Sequence, residues 1–168
     1  MSRIRTLFLG TPDFARHCLE GLIRDDHFEV VGVVTQPDRP SGRQLKLTPS
    51  PVKTLVQPLG IPVLCPEKIN QAETLAAIAS FRAEVAIVVA YGQIMGQDFL
   101  NLFPGKTVNI HTSLLPRWRG AAPMQRALMA GDVETGVSLQ VMVRKLDAGG
   151  VLGCRKLALT PQTNAMTL

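Results

Sequence analysis

Cysteine is scarce in this chain of 168 residues: Cys18, Cys65 and Cys154 are scattered and odd in number. That excludes a disulfide framework and favours a reducing compartment, so a cytoplasmic location is expected. Cys-x-x-Cys is absent, and His17, His27 and His111 do not fall at metal-ligand spacing, so no metal is expected. No apolar run nears the ~20 residues of a membrane span. The opening Met1-Ser2-Arg3-Ile4-Arg5 leads into a short apolar segment rather than a signal-peptide core. Phosphate-binding glycines are missing too. Gly10-Thr11-Pro12-Asp13-Phe14 has one glycine where a dinucleotide fingerprint needs three, and no Gly-Lys-Ser/Thr occurs. NAD and ATP chemistry are therefore disfavoured. What is present, 46% hydrophobic and 18% charged residues, suits one globular domain with a core that needs no staples.

Charge is segregated. Between Gln36 and Lys53, Arg39, Arg43, Lys46 and Lys53 face the single acid Asp38. Between Phe103 and Arg126, Lys106, Arg117, Arg119 and Arg126 meet no acid at all. Two basic segments on a nearly neutral body suit a polyanionic partner such as nucleic acid; ordinary solvated surface is the alternative.

Hydrophobic patterning predicts alternating strands and helices. Ile4–Gly10 reads as a buried strand, and Phe14, Cys18, Leu19, Leu22 and Ile23 then recur at helical spacing behind Thr11 as N-cap and Pro12 at the first helical position. Phe28–Val34 is a second strand, which completes a βαβ unit. From Gln36 to Pro51 the prolines at 37, 40, 49 and 51 exclude a regular helix or central strand, leaving a long loop. Further strands are expected at Ile61–Leu64, Val85–Ala90, Thr107–His111, Gly136–Val143 and Val151–Leu159. Helices are expected at Ile69–Phe81, Gln97–Leu102 and Arg119–Met129, the last with Met124 and Leu128 inward. This is the pattern of a doubly wound, mostly parallel, Rossmann-like α/β sheet with helices on both faces. Residues 160–168 read as a cap and first turn of a helix that stops at once, so the chain is expected to be a fragment.

Asn109 and His111 stand two apart at the carboxyl end of a strand, hence on one face with Cα atoms about 6.6 Å apart. An amide donor and an imidazole there can hold a developing oxyanion and manage a proton. Asp147, before Ala148-Gly149-Gly150, can orient the imidazole and favour its charged form. Each also has a bland alternative: a strand-end turn, a satisfied histidine, a turn aspartate. Ser113 lacks a nucleophile elbow, Cys18 beside His17 reads as packing, and Trp118 reads as core.

Asn109-Ile110-His111, then Ser113-Leu114-Leu115-Pro116, then Asp147, resembles the folate-dependent formyltransferases. Arg117-Trp118-Arg119-Gly120-Ala121-Ala122-Pro123-Met124-Gln125-Arg126, Gly10-Thr11-Pro12-Asp13-Phe14-Ala15 and Thr35-Gln36-Pro37-Asp38-Arg39-Pro40 through Lys53 are similar to the members that act on methionyl-tRNA. The resemblance runs along essentially the whole chain. It implies transfer of the formyl group of 10-formyltetrahydrofolate to the α-amine of methionyl initiator tRNA, with Asn109, His111 and Asp147 catalytic and no covalent enzyme intermediate. It implies a folate pocket at Ser113, Leu114, Leu115 and Pro116 and at Val89, Ala90, Tyr91 and Gly92, with tRNA contacts at Arg39, Arg43 and Lys46. A monomer is expected, carrying this catalytic domain over residues 1–168 and lacking the family's C-terminal barrel-like domain. Thr112, Lys145 and Gly150 depart from the family's usual Gly, Gly and Asp. Two alternatives stay open. One is a formyltransferase acting on glycinamide ribonucleotide or an amino sugar nucleotide; the other is a folate- or RNA-binding fragment without catalysis.

Overall fold

The computed structural model describes residues 2–41, 45–165 and 167–168. It divides into two compact units, Met1–Thr107 and Val108–Leu168. In the first, β1 (Ile4–Gly10), α1 (Asp13–Arg24) and β2 (Phe28–Val34) form the expected βαβ unit. A small hairpin follows, β3 (Arg39–Ser41) and β4 (Lys46–Thr48), then α2 (Pro51–Val56), β5 (Val63–Leu64), α3 (Ala72–Ser80), β6 (Val85–Val89) and α4 (Gln97–Leu102). Strands β5, β2, β1 and β6 lie side by side in that order, every pair parallel. The later part of β1 lies between two strands and is apolar to match: Leu7, Phe8 and Leu9 are sealed from solvent, as are Val33, Val34, Ala86 and Val89 beside it. At the end of β1, a Cβ on Gly10 would lie 2.8 Å from the Ala15 Cβ and 3.0 Å from the Val89 carbonyl. Glycine there lets the start of α1 close on the strand ends.

The second unit is built from β7 (Thr107–His111), α5 (Pro123–Met129), β8 (Glu134–Val141) and β9 (Val151–Ala158). Here both pairings, β7 with β8 and β8 with β9, are antiparallel. Among the described residues no helix is long and apolar enough to cross a membrane.

Several expectations need correction. Pro12, not Thr11, is the N-cap of α1; the Thr11 hydroxyl instead donates to the Tyr91 carbonyl at 2.9 Å. The proline-rich stretch is not loop throughout, since β3 and β4 pair as a two-stranded ribbon outside the parallel set. Its last prolines open α2, which has Pro51 at its first position and Ser50 as N-cap. The helix expected from Arg119 begins only at Pro123, after Gly120 and Ala122 adopt φ of 87° and 53°. Its fully buried residues are Pro123 and Ala127, while Met124 and Leu128, expected inward, are half-buried.

Ser50 does two jobs: its hydroxyl accepts from the Lys53 N–H at 3.0 Å and pairs with the buried Thr35 hydroxyl at 2.7 Å. Ser50→Ala removes the cap and strands Thr35, so chemical denaturation should show a loss of about 1–3 kcal/mol. An unchanged midpoint would mean α2 does not depend on its cap.

Candidate active site

The side chains of Asn109 and His111 leave β7 on one face, and the antiparallel register sets Gln140 opposite Asn109 and Ser138 opposite His111. Four polar residues therefore share one side of this strand pair. His111, Ser138 and Gln140 are buried. The Asn109 amide is half-buried and has no hydrogen-bond partner among the described residues.

Two hydroxyls shape the chain after His111. Ser138 Oγ donates to the Ser113 carbonyl at 2.7 Å and accepts from the Leu115 N–H at 3.1 Å, while Ser113 Oγ donates to the Arg117 carbonyl at 2.6 Å. The turn they hold returns Trp118 to His111, whose Nε2 lies 3.0 Å from the Trp118 carbonyl oxygen. A carbonyl only accepts, so Nε2 carries the proton and Nδ1 is the nitrogen left to face Asp147.

Asp147 sits between β8 and β9 with φ of 45°, a left-handed conformation that surrounding bonds must enforce. Gly149 permits the tight return, because a Cβ there would collide with the Val141 carbonyl. The Asp147 carboxylate is gripped on both oxygens. Oδ1 accepts from Gln140 Nε2 at 2.9 Å; Oδ2 accepts from the Gly120 N–H at 2.7 Å and lies 3.8 Å from His111 Nδ1. That last separation is longer than a hydrogen bond and is an ion-pair distance when Nδ1 holds a proton. Both side chains are 8% exposed, so solvent screens the pair little. His111, Trp118, Gly120, Asp147 and Gln140 thus form one connected circuit. Gly150, which departs from the family pattern, has open space where a side chain would stand.

Trp118 is not a core residue. Two guanidiniums lie over its half-buried ring, Arg117 at 4.6 Å and Arg126 at 5.0 Å, and its Nε1 donates to Asp132 at 2.7 Å. Arg117 grips the same carboxylate through both oxygens, at 3.1 and 2.6 Å. Arg117 and Arg126 are therefore engaged in building this loop. A cavity of about 350 Å³ beside it is lined by Leu114, Arg117, Trp118, Asp132, Glu134 and Thr135 among others; Asn109, His111 and Asp147 do not line it.

The other expected site residues stand as follows. Leu114 and Leu115 are half-buried on the Ser113 turn, and Pro116 is exposed. In the first unit, Val89 ends β6 and Ala90 is exposed with φ of 45°. The Tyr91 carbonyl accepts from Thr11 and from Gln36 Nε2 at 3.1 Å, and Gly92 turns the chain with φ of 95°. The Tyr91 phenol is buried without a partner among the described residues, and burial pushes its ionisation up. Arg39 and Lys46 fall on one face of the β3–β4 ribbon by register, Arg39 pairing with Glu67 at 3.1 Å. Arg43 lies outside the described residues. Lys53 is held by Asp38 at 2.8 Å. Burial raises the Cys18 and Cys65 thiols above their ordinary ionisation, leaving neither as a ready nucleophile. Sequence reasoning missed Ser138 and Gln140. Their signal was two polar residues alternating with Val137, Leu139 and Val141.

The Arg117 and Trp118 bonds hold the Asp132 carboxyl below its ordinary value of 3.8. A depressed folded-state value contributes stability above 3.8 that is lost as pH falls through the lower folded value. Trp118 is the sole tryptophan, so its fluorescence should report this release with a midpoint below pH 3.8. A midpoint at or above that value would show that the clamp does not hold.

Comparison with known proteins agrees with this architecture. A methionyl-tRNA formyltransferase from Bdellovibrio bacteriovorus is 58% identical over 169 residues, 100% of this chain and 53% of that protein. Another from a Sulfurihydrogenibium species is 46% identical over 166 residues, 98% of this chain and 53% of the relative. The chain spans about half the length of the curated relatives it matches. Among solved structures, a phosphoribosylglycinamide formyltransferase from Anaplasma phagocytophilum superposes with a TM-score of 0.81 at 19% identity, covering 99% of this chain and 78% of that one. A formyltetrahydrofolate deformylase from Pseudomonas syringae gives 0.76 at 19% identity, covering 99% and 55%. At such identity the likeness establishes the fold, the mostly parallel Rossmann-like α/β class expected from sequence. The family model described as formyl transferase matches residues 2–168, and with that match over nearly its whole length the chain belongs to the formyl transferase family.

Proposed function

We propose that the protein transfers the formyl group of 10-formyltetrahydrofolate to the α-amine of methionyl initiator tRNA. The observation that carries this reading is the convergence in one unit of the imidazole, carboxylate and strand-end amide, with His111 Nδ1 3.8 Å from Asp147 Oδ2. The names of relatives 58% and 46% identical support the choice of acceptor. So do the cations of the β3–β4 segment, since a small acceptor needs no basic surface.

The folate supplies the formyl carbon and the N10 leaving group. In the proposed step the methionyl amine nitrogen bonds to the formyl carbon and the carbon–N10 bond breaks. One proton leaves the amine and one arrives at N10, so the step balances by proton transfer alone. Asn109, whose amide has no competing partner among the described residues, donates to the formyl oxygen as charge develops there. His111 adds an imidazole at the same face. Asp147 orients that ring and relays the proton toward N10, the 3.8 Å gap tightening when substrate closes the site. The Ser113–Pro116 turn and the backbone of Val89–Gly92 receive the folate. Arg39, Arg43 and Lys46 meet tRNA phosphates, a contact that releases counterions and weakens with salt. The reading places the enzyme in the cytoplasm as a monomer.

The test supplies 10-formyltetrahydrofolate with charged initiator tRNA, or with glycinamide ribonucleotide, and measures formylated product. Product should form with the tRNA, and His111→Ala and Asn109→Ala should each lower the rate by about 10²–10³. Undiminished product in either variant removes that residue from the mechanism. Product with glycinamide ribonucleotide alone would replace the acceptor.

A further inference from the structure

Gln140 has no part in the family resemblance, yet it is built into the site. Its side chain is 1% exposed, and β8 places it directly opposite Asn109. Nε2 donates to Asp147 Oδ1 at 2.9 Å. The amide cannot be turned round, because its oxygen would then face a carboxylate that only accepts. The consequence is an unusual remainder: Oε1 is buried and has no hydrogen-bond partner among the described residues. Across the same register pair stands Asn109, whose amide donors are also without a partner among the described residues. Opposed residues of an antiparallel pair have Cβ atoms about 4.5–5.5 Å apart, within side-chain reach. An apolar side chain of similar size would fill this position without burying an unpaired oxygen, so packing alone does not account for a glutamine here.

We propose that Gln140 is a positioning residue that ties the two ends of the site together, donating to Asp147 on one side and offering Oε1 to the Asn109 amide on the other. This rests on the formyl-transfer reading. By occupying Oδ1, Gln140 leaves Oδ2 to Gly120 and His111, which fixes the carboxylate's rotation about its own bond. By accepting from Asn109, it would keep that amide's second donor directed at the formyl oxygen. Among the described residues, the titratable groups joined to this circuit are Asp147 and His111.

Two variants test it. Gln140→Leu keeps the volume and removes the Asp147 bond together with the Oε1 acceptor; kcat should fall roughly 10- to 100-fold while KM for folate stays within about twofold. Gln140→Glu can donate to Asp147 only while protonated. Two carboxyls sharing a site raise the ionisation of one of them, so this variant should keep its rate at low pH and lose it as pH rises. Neither wild type nor Gln140→Leu should show that alkaline loss. The Gly120 amide proton, bonded to Asp147 Oδ2 at 2.7 Å, gives a readout independent of activity. Its NMR resonance should move upfield in Gln140→Leu as the carboxylate is released. A wild-type kcat in Gln140→Leu, a pH-independent loss in Gln140→Glu, or an unmoved Gly120 resonance would each overturn the inference. Failure of the reading beneath it looks different: no formylation by the wild-type chain, or full formylation by His111→Ala. The Gly120 resonance still decides the positioning role in that event.

Discussion

One carboxylate holds the second unit's chemistry in place. Asp147 reaches across from the β8–β9 connection to the Gly120 amide, the Gln140 side chain and the edge of the His111 ring. Each of those partners comes from a different stretch of chain. A buried carboxylate is costly unless its oxygens are satisfied, and here both are. The same bonds that make its burial tolerable also settle where it points. Remove the carboxylate and the 118–122 loop loses its anchor on one side while His111 loses its charged neighbour.

The loop answers with bonds of its own. Trp118, Ala122 and Asp147 are non-glycine residues with φ of 59°, 53° and 45°, conformations that persist only where the surroundings dictate them. Ser113, Ser138, Asp132 and the two arginines around Trp118 supply that dictation. Their joint product is the Trp118 carbonyl at 3.0 Å from His111 Nε2. The imidazole is thus fixed through Nε2 before any substrate arrives, with Nδ1 turned toward the Asp147 carboxylate, an arrangement suited to catalysis by preorganised charge rather than by covalent attack.

How far this could be read from sequence depended on the kind of signal. β1, β2 and β7 run over the residues expected because continuous apolar or β-branched segments are legible without their partners. α2 was hidden by prolines that usually end helices; Ser50-Pro51, a cap followed by a first-turn proline, was the mark of a start. Residues 119–122 looked helical because periodicity does not register left-handed turns at Gly120 and Ala122. Asp147 could be suspected because it precedes glycines. Its bond to Gln140 could not, since it depends on β8 lying antiparallel to β7 with Gln140 set against Asn109. Trp118 went astray for a related reason: the bonds that place it come from Asp132 and Arg126, and only the folded chain gathers them.

The central claim is that the Trp118 carbonyl holds the His111 Nε2 proton and leaves Nδ1 turned toward the Asp147 carboxylate. Long-range ¹⁵N–¹H correlation of the ring nitrogens, recorded at a pH where the imidazole is neutral, tests it most directly. The account predicts a proton resident on Nε2, with Nδ1 showing the shift of an unprotonated nitrogen. A ring protonated on Nδ1, or one averaging between the two tautomers, would contradict it.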